Sequence, residues 1–261
     1  MTGVLPILYS FRRCPYAMRA RMALLVSNTP VVLREIALRN KPAEMTAASP
    51  KGTVPVLCLP DGTIIEQSLD IMRWALERAD PEHWLAGDDS ALIAQNDGPF
   101  KHHLDRYKYP NRYEVDPLAH RAAGLELLAG LDERLAATQQ LRGVTRSLTD
   151  MALMPFIRQF AATDRNWFNT QPLPHLQRWL ATHEASALFA AAMVRFPVWQ
   201  QALHVLGLLL IAQGVVVVLR LMSGASPPSA AIVLGSVSSA LIWPVISALL
   251  QWPQRVRSLL D

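Results

Sequence analysis

Cys14 is the residue whose type and setting promise chemistry. It stands in Ser10-Phe11-Arg12-Arg13-Cys14-Pro15-Tyr16, where an apolar run gives way to a helical pattern. A cysteine at or next to a helix N-cap faces exposed backbone N–H groups and the positive end of the helix dipole, and both favour the thiolate. Arg12, Arg13 and Arg19 add positive potential nearby. A thiolate at neutral pH attacks a disulfide or an electrophile. The alternative is a small buried core residue, but Pro15 behind the cysteine and the strand ahead of it favour the nucleophile. Ser10 is a second candidate, a conjugating hydroxyl ranked below the sulfur.

Other reactive types carry less. Cys58 lies three residues after Pro55 on one strand, about 10 Å further along at ~3.3 Å per residue, which makes it a core residue rather than a resolving thiol. The seven histidines show no metal-ligand spacing. His102 and His103 are adjacent, so their side chains diverge on a helix, and no metal site is expected. Tyr107-Lys108-Tyr109-Pro110-Asn111-Arg112-Tyr113 is an aromatic and basic cluster at a helix end. It either borders a second-substrate pocket or packs two helices together.

The elements that must position Cys14 follow from apolar periodicity. Val4–Tyr9 and Val31–Ala37 read as strands, and Pro15–Asn28 as a helix with proline at its first position. A short helix near Pro42–Ala47 follows. Thr53–Leu59 and Thr63–Glu66 flank Asp61-Gly62 as a hairpin, and Ser68–Ala79 is a helix. This order predicts a small α/β sandwich over residues 1–80. Pro81–Asp89 reads as a linker. From 90 to 199 only helical periodicity remains, with helices at Ala91–Tyr109, Pro117–Thr138, Thr149–Phe160 and Pro174–Glu184. Ser147-Leu148-Thr149-Asp150 has capping-box spacing, with Asp150 in place of Glu or Gln.

The chain has 261 residues, a formal charge of +4 and two cysteines. The modest, scattered charge argues against nucleic acid, and two cysteines make no disulfide framework. Met1–Phe11 lacks a secretory pattern, which places the N-terminal part in the cytosol. Charge is distributed unevenly. After Arg195 the next charged residue is Arg220, and residues 221 to 254 carry none. Ala202–Met222 and Ala230–Trp252 each exceed about 30 Å at ~1.5 Å per helical residue, the thickness of a bilayer core. Residues 200–261 are therefore expected to form a two-helix transmembrane hairpin, embedded over 202–252 and turning at Ser223–Ser229. The bias of Arg195, Arg255 and Arg257 to one side puts both termini in the cytoplasm of a bacterial inner membrane.

Cys14-Pro15-Tyr16 resembles the active-site turn of glutaredoxins and omega-like glutathione S-transferases, with Ala17 where a dithiol glutaredoxin has its second cysteine. The likeness continues in register through Asn40-Lys41-Pro42, Ser49-Pro50-Lys51-Gly52-Thr53-Val54-Pro55-Val56, Glu66-Gln67-Ser68-Leu69-Asp70-Ile71 and Ser147–Asp150, covering about residues 4–199. It implies a thioredoxin-like N-terminal lobe and an all-α transferase C-terminal lobe, with glutathione as co-substrate. Cys14 is then catalytic, Lys41 reaches a glutathione carboxylate, and a cis-proline at Pro55 turns the Val54 N–H and C=O towards the tripeptide. Gln67 and Ser68, at a helix start, hold the γ-glutamyl end. Each position has a plainer alternative: a solvated Lys41, a trans Pro55 on an edge strand, Ser68 as a simple N-cap. The tail, at Trp199-Gln200-Gln201-Ala202-Leu203, Ser238-Ser239 and Leu241-Ile242-Trp243-Pro244, resembles the last two spans of rod shape-determining protein MreD.

These observations predict a membrane-anchored, cysteine-type glutathione transferase or thiol-disulfide oxidoreductase acting on a small electrophile or disulfide. The second expectation is a non-catalytic adaptor of the same fold at the inner membrane, beside the cell-wall machinery. Homodimer pairing is expected from the resemblance alone.

Overall fold

In the computed structural model, which describes residues 4–193 and 198–223, Ile7–Ser10 forms the central strand β1. Pro15–Val26 (α1) carries the chain across to β2, Val32–Glu35, which lies parallel to β1 with Ile7 opposite Val32 and Ser10 opposite Glu35. A short helix α2, Ala43–Ala48, precedes β3, Val56–Cys58, which pairs antiparallel with β1, Tyr9 opposite Val56. Gly62, at φ +88°, makes the turn into β4, Ile64–Ile65. The sheet order is β2-β1-β3-β4, the thioredoxin-like arrangement expected from the sequence.

Period-two alternation sends Leu8 and Leu57 to one face, where they are buried with Met18, Met22, Ile71 and Met72 of α1 and α3, Ser68–Arg78. Tyr9 and Val56 face the other way and pack with Ile36, Met45 and Val54. Cys14 and Cys58 lie against this second, smaller cluster.

The stretch predicted as a linker is tightly anchored. A 3-10 turn, Trp84–Gly87, buries Trp84 completely. Burying so large a ring contributes about 3 kcal/mol. Asp80 accepts from the N–H groups of Trp84 (2.8 Å) and Leu85 (2.9 Å). Thr149 Oγ1 donates to the Gly87 carbonyl at 2.6 Å and accepts from Asp89 N–H at 2.8 Å.

The helical lobe contains α4 (Ser90–Gln95), α5 (Lys101–Lys108), α6 (Pro110–Tyr113), α7 (Pro117–Ala137), α8 (Leu148–Ala161), α9 (Arg165–Asn169), α10 (Pro174–Glu184) and α11 (Ala187–Ala192). The single helix expected over Ala91–Tyr109 is interrupted by a π-helical stretch, Asn96–Phe100. Pro99, which has no N–H to give and crowds the preceding turn, sits inside it and accounts for the widened ladder. The Ser147 capping box forms as predicted, and Asp150 is fully buried. Its Oδ2 accepts from Ser147 N–H (2.9 Å) and Oγ (2.6 Å), and its Oδ1 from Leu141 N–H (2.8 Å) and Trp179 Nε1 (2.9 Å).

Residues 1–193 form one compact unit and 194–261 a second. The second contains helix α12, Val198–Met222. Among the described residues no helix is long and apolar enough to cross a membrane. Leu208, Ile211 and Leu219 of α12 are 60–67% exposed. The predicted second span, Ala230–Trp252, lies outside the described residues.

Candidate functional site

The site begins at the turn after β1. Cys14 N–H donates to the Phe11 carbonyl at 2.9 Å, and Arg12 N–H donates to Glu35 Oε1 on β2 at 2.7 Å. These two bonds fix the turn and leave Cys14 as the N-cap residue of α1, followed by Pro15 at the first helical position. The sulfur lies 3.6 Å from the Val54 carbonyl, within the reach of a thiol donor. The Val54–Pro55 bond is cis. So the structure brings Cys14, Val54 and Pro55 together, 40 residues apart in sequence.

Electrostatics at the sulfur differ from the expectation of a thiolate. Burial pushes the Cys14 thiol above its ordinary value. The backbone N–H groups of Ala17 and Tyr16, then Lys101 and Arg19, pull it down without overcoming desolvation. Helix position alone accounts for the lowering contributions and omits the cost of charging a sulfur packed against Phe11, Tyr9 and Val54. Arg12 and Arg13, also expected to help, are exposed; Arg13 lies over the Phe11 ring at 5.3 Å.

Arg19 is the cation that matters, and it is only 2% exposed. It makes a two-pronged pair with Asp97 (2.9 and 2.7 Å), and its Nε donates to Ser68 Oγ at 2.9 Å. The guanidinium also covers Tyr16 at 5.0 Å and Phe156 at 5.3 Å. Lys101 reaches the same ring at 5.8 Å and pairs with Asp105. Tyr16 packs edge-on against Phe156, and its hydroxyl is pushed up to about 12, by burial first and by Asp97 next. Asp97, Lys101 and Phe156 were missed in the sequence, because no local spacing joins α1 to residues so far along the chain.

The remaining predicted residues fall as follows. Lys41 is exposed and lies beside Gly52, where an added Cβ would meet its Nζ at 3.3 Å. Gln67 is exposed and is the N-cap of α3. Ser68 is not that cap: it sits in the first turn, 4% exposed, with its hydroxyl accepting from Arg19. Ser49 Oγ donates to Glu66, holding the segment before α3 to the loop before the cis bond. Ser10 is completely buried, which removes it as a conjugating hydroxyl. Cys58 is half-buried on β3, its thiol raised by burial. Of the tyrosine cluster, Tyr107 packs between helices against Phe160 and Trp167, while Tyr113 stacks with Arg106 and Arg112. A cavity of about 660 Å³ bounded by Ala136, Thr138, Arg178 and Thr182 involves none of these residues. The histidines also depart from expectation: His102 and His103 converge on His120.

Residues 8–83 match the family model for the N-terminal domain of glutathione S-transferases. The chain is similar in structure to a glutathione transferase family member of Pseudomonas fluorescens Pf-5 solved with two glutathione bound, at TM-score 0.61 and 16% identity, covering 72% of this chain and 92% of that one. It is similar to a glutathione S-transferase of Rhodospirillum rubrum at TM-score 0.60 and 20% identity, covering 74% and 94%. A glutathione transferase of Burkholderia graminis, with two glutathione molecules bound per subunit, gives TM-score 0.60 and 19% identity over 72% and 87%. At these identities the likeness establishes the fold. Among curated proteins none matches the chain.

Proposed function

We propose that residues 1–193 form a glutathione-dependent thiol transferase with Cys14 as nucleophile, and that the C-terminal segment tethers it to the cytoplasmic face of a bacterial inner membrane. One observation carries the catalytic reading. A cysteine caps α1 at 3.6 Å from the Val54 carbonyl, beside a cis proline, within the segment that matches the transferase N-terminal model. The Val54 backbone offers an edge on which a tripeptide pairs as an added strand. Lys41 and Gln67, both exposed, are the polar contacts for the two carboxylate ends in this reading. Ser68 acts one step removed, by holding Arg19.

The Cys14 proton leaves to solvent. The thiolate attacks the glutathione sulfur of a mixed disulfide, forming a Cys14–glutathione disulfide and expelling the partner thiolate, which takes a proton. A second glutathione thiolate then attacks the glutathione sulfur, releasing oxidised glutathione and restoring Cys14. Because burial holds the resting sulfur as a thiol, turnover rises with pH through the neutral range.

The tether rests on the uncharged run from 221 to 254 and on the exposed Leu208, Ile211 and Leu219 of α12. The tail's likeness to MreD belongs to the same proposal.

The test is glutathione-dependent reduction of a small glutathionylated disulfide by the full chain and by Cys14→Ser. Activity that disappears with the sulfur supports the enzyme; equal rates in the two proteins refute it. The raised Cys14 thiol favours the second reading, a non-catalytic adaptor, and no turnover together with no retention on immobilised glutathione decides for it. Membrane pellets that lose the protein to a carbonate wash refute the tether.

A further inference from the structure

α5 and α7 bring three imidazoles to one place. His102 and His103 are neighbours in the first turn of α5, and His120 lies in the first turn of α7. Their ring centroids are 5.0 Å (102 to 103), 5.7 Å (102 to 120) and 5.1 Å (103 to 120) apart. His103 Nδ1 and His120 Nδ1 are 2.9 Å apart, and one ligand nitrogen from each of the three rings fits within 4.8 Å. Adjacent residues on a helix normally point apart. These do not, because His120 stands across from both.

We propose that His102, His103 and His120 are the protein ligands of a zinc(II) site, a three-imidazole face with its remaining position open to water. The distances decide for this over simple ring packing. Metal–nitrogen bonds of about 2.0–2.1 Å place two nitrogens on one ion at roughly 3–3.5 Å for angles between 90° and tetrahedral. The His103–His120 pair already stands near the lower bound. A separation at the 4.8 Å limit must close by roughly 1.3–1.8 Å to come within that range, and His102, the exposed member, has the freedom to move. The donor set is nitrogen only, which suits zinc and its neighbours in the first transition row and excludes magnesium and calcium, which take oxygen.

The surrounding charge is consistent with the site. Arg106 Nη1 lies 3.0 Å from His102 Nδ1, so His102 offers its Nε2 to the ion unless Arg106 withdraws. Arg106 has a place to withdraw to, since its guanidinium already covers Tyr113 at 4.5 Å. Glu126 acts on His103 and Asp116 on His120 with the opposite sign, offsetting part of the ion's charge. Burial, the neighbouring imidazoles and Arg106 hold His103 and His120 below their ordinary values, which keeps them in the neutral form that ligates. Bound zinc would join α5 to the start of α7 across α6.

The test is titration of the full, untagged chain, its thiols blocked with N-ethylmaleimide, with cobalt(II) followed by displacement with zinc(II). The expected result is visible d–d absorption that zinc abolishes. His103→Ala and His120→Ala should each weaken binding at least ~100-fold, more than loss of a supporting group costs. His175→Ala should leave it unchanged, and Arg106→Ala should tighten it several-fold. A variant-free measurement guards against misfolding: zinc should protect His102, His103 and His120, and not His175, from diethyl pyrocarbonate in the parent protein. Absence of both absorption and protection overturns the proposal, as does binding that survives His120→Ala in a folded protein.

Discussion

Asp150→Asn tests how the helical lobe is held together. The carboxylate accepts four hydrogen bonds while fully buried. An asparagine has one oxygen for two. Its better orientation keeps that oxygen on Leu141 N–H and Trp179 Nε1 and turns the amide nitrogen towards Ser147. Ser147 Oγ can rotate to accept, but Ser147 N–H then faces another donor and is left buried and unpaired. Such an orphan costs about 1–3 kcal/mol, and the two surviving bonds each lose part of their charge assistance, for a total of about 3 kcal/mol. With a urea slope of about 3 kcal/mol per molar, the unfolding midpoint should fall by about 1 M. Far-UV circular dichroism of the full chain in mild detergent reads this directly. Trp179→Phe removes a single donor and should cost about 1 kcal/mol, and the double variant should fall short of the sum by at least ~0.5 kcal/mol. A midpoint within ~0.2 M of the parent for Asp150→Asn, or strict additivity, would refute the account of Asp150 as the shared acceptor of the lobe.

Four further outcomes are expected. Gly87→Ala builds a Cβ 2.4 Å from Ser147 Cβ and should destabilise by about 1–3 kcal/mol. Gly130→Ala, in the exposed middle of α7 with nothing within 4 Å, should stabilise by about 0.5–1 kcal/mol in the same urea assay. Lys101→Met removes a cation that lowers the Cys14 thiol, so alkylation by iodoacetamide at pH 8 should slow severalfold, and an unchanged rate counts against Lys101 as part of the site. His183, buried beside Gln140 Oε1 at 2.8 Å, is lowered to about 4, by burial first. The unfolded chain therefore takes up a proton that the fold refuses, and stability should fall as pH drops from ~6.5 towards 4, by at most about 1.4 kcal/mol per unit. His183→Gln should flatten that slope when midpoints at pH 7 and pH 5 are compared.

What the sequence revealed follows the range of its signals. The succession of strands and helices over residues 7–78, the Asp61-Gly62 turn and the capping box are set by a few neighbouring residues, and all are as expected; the cis bond at Pro55 was implied by the family resemblance. Cys14 as N-cap was equally local. The state of its sulfur was not. It depends on packing against Tyr9 and Val54 and on Lys101 and Arg19, and burial is a property of the assembled fold. Helix periodicity ran through residues 91–109 because Pro99 interrupts one backbone bond without disturbing the apolar pattern. The anchoring of residues 81–89 by Trp84 and Thr149 was hidden by their polar composition. His120 is 17 residues from His103 and enters only once α5 and α7 lie side by side.

The π-helical stretch at Asn96–Phe100 also constrains how this chain tolerates insertion and deletion. A wide turn absorbs one residue more than a regular helix. Excising one position there would restore an ordinary ladder and rotate everything downstream by about 100° relative to α4. Asp97 would keep its grip on Arg19 only at the expense of Lys101 and the histidines, or the reverse. A length change that a surface loop would pass over silently would here separate the two halves of the molecule's chemistry.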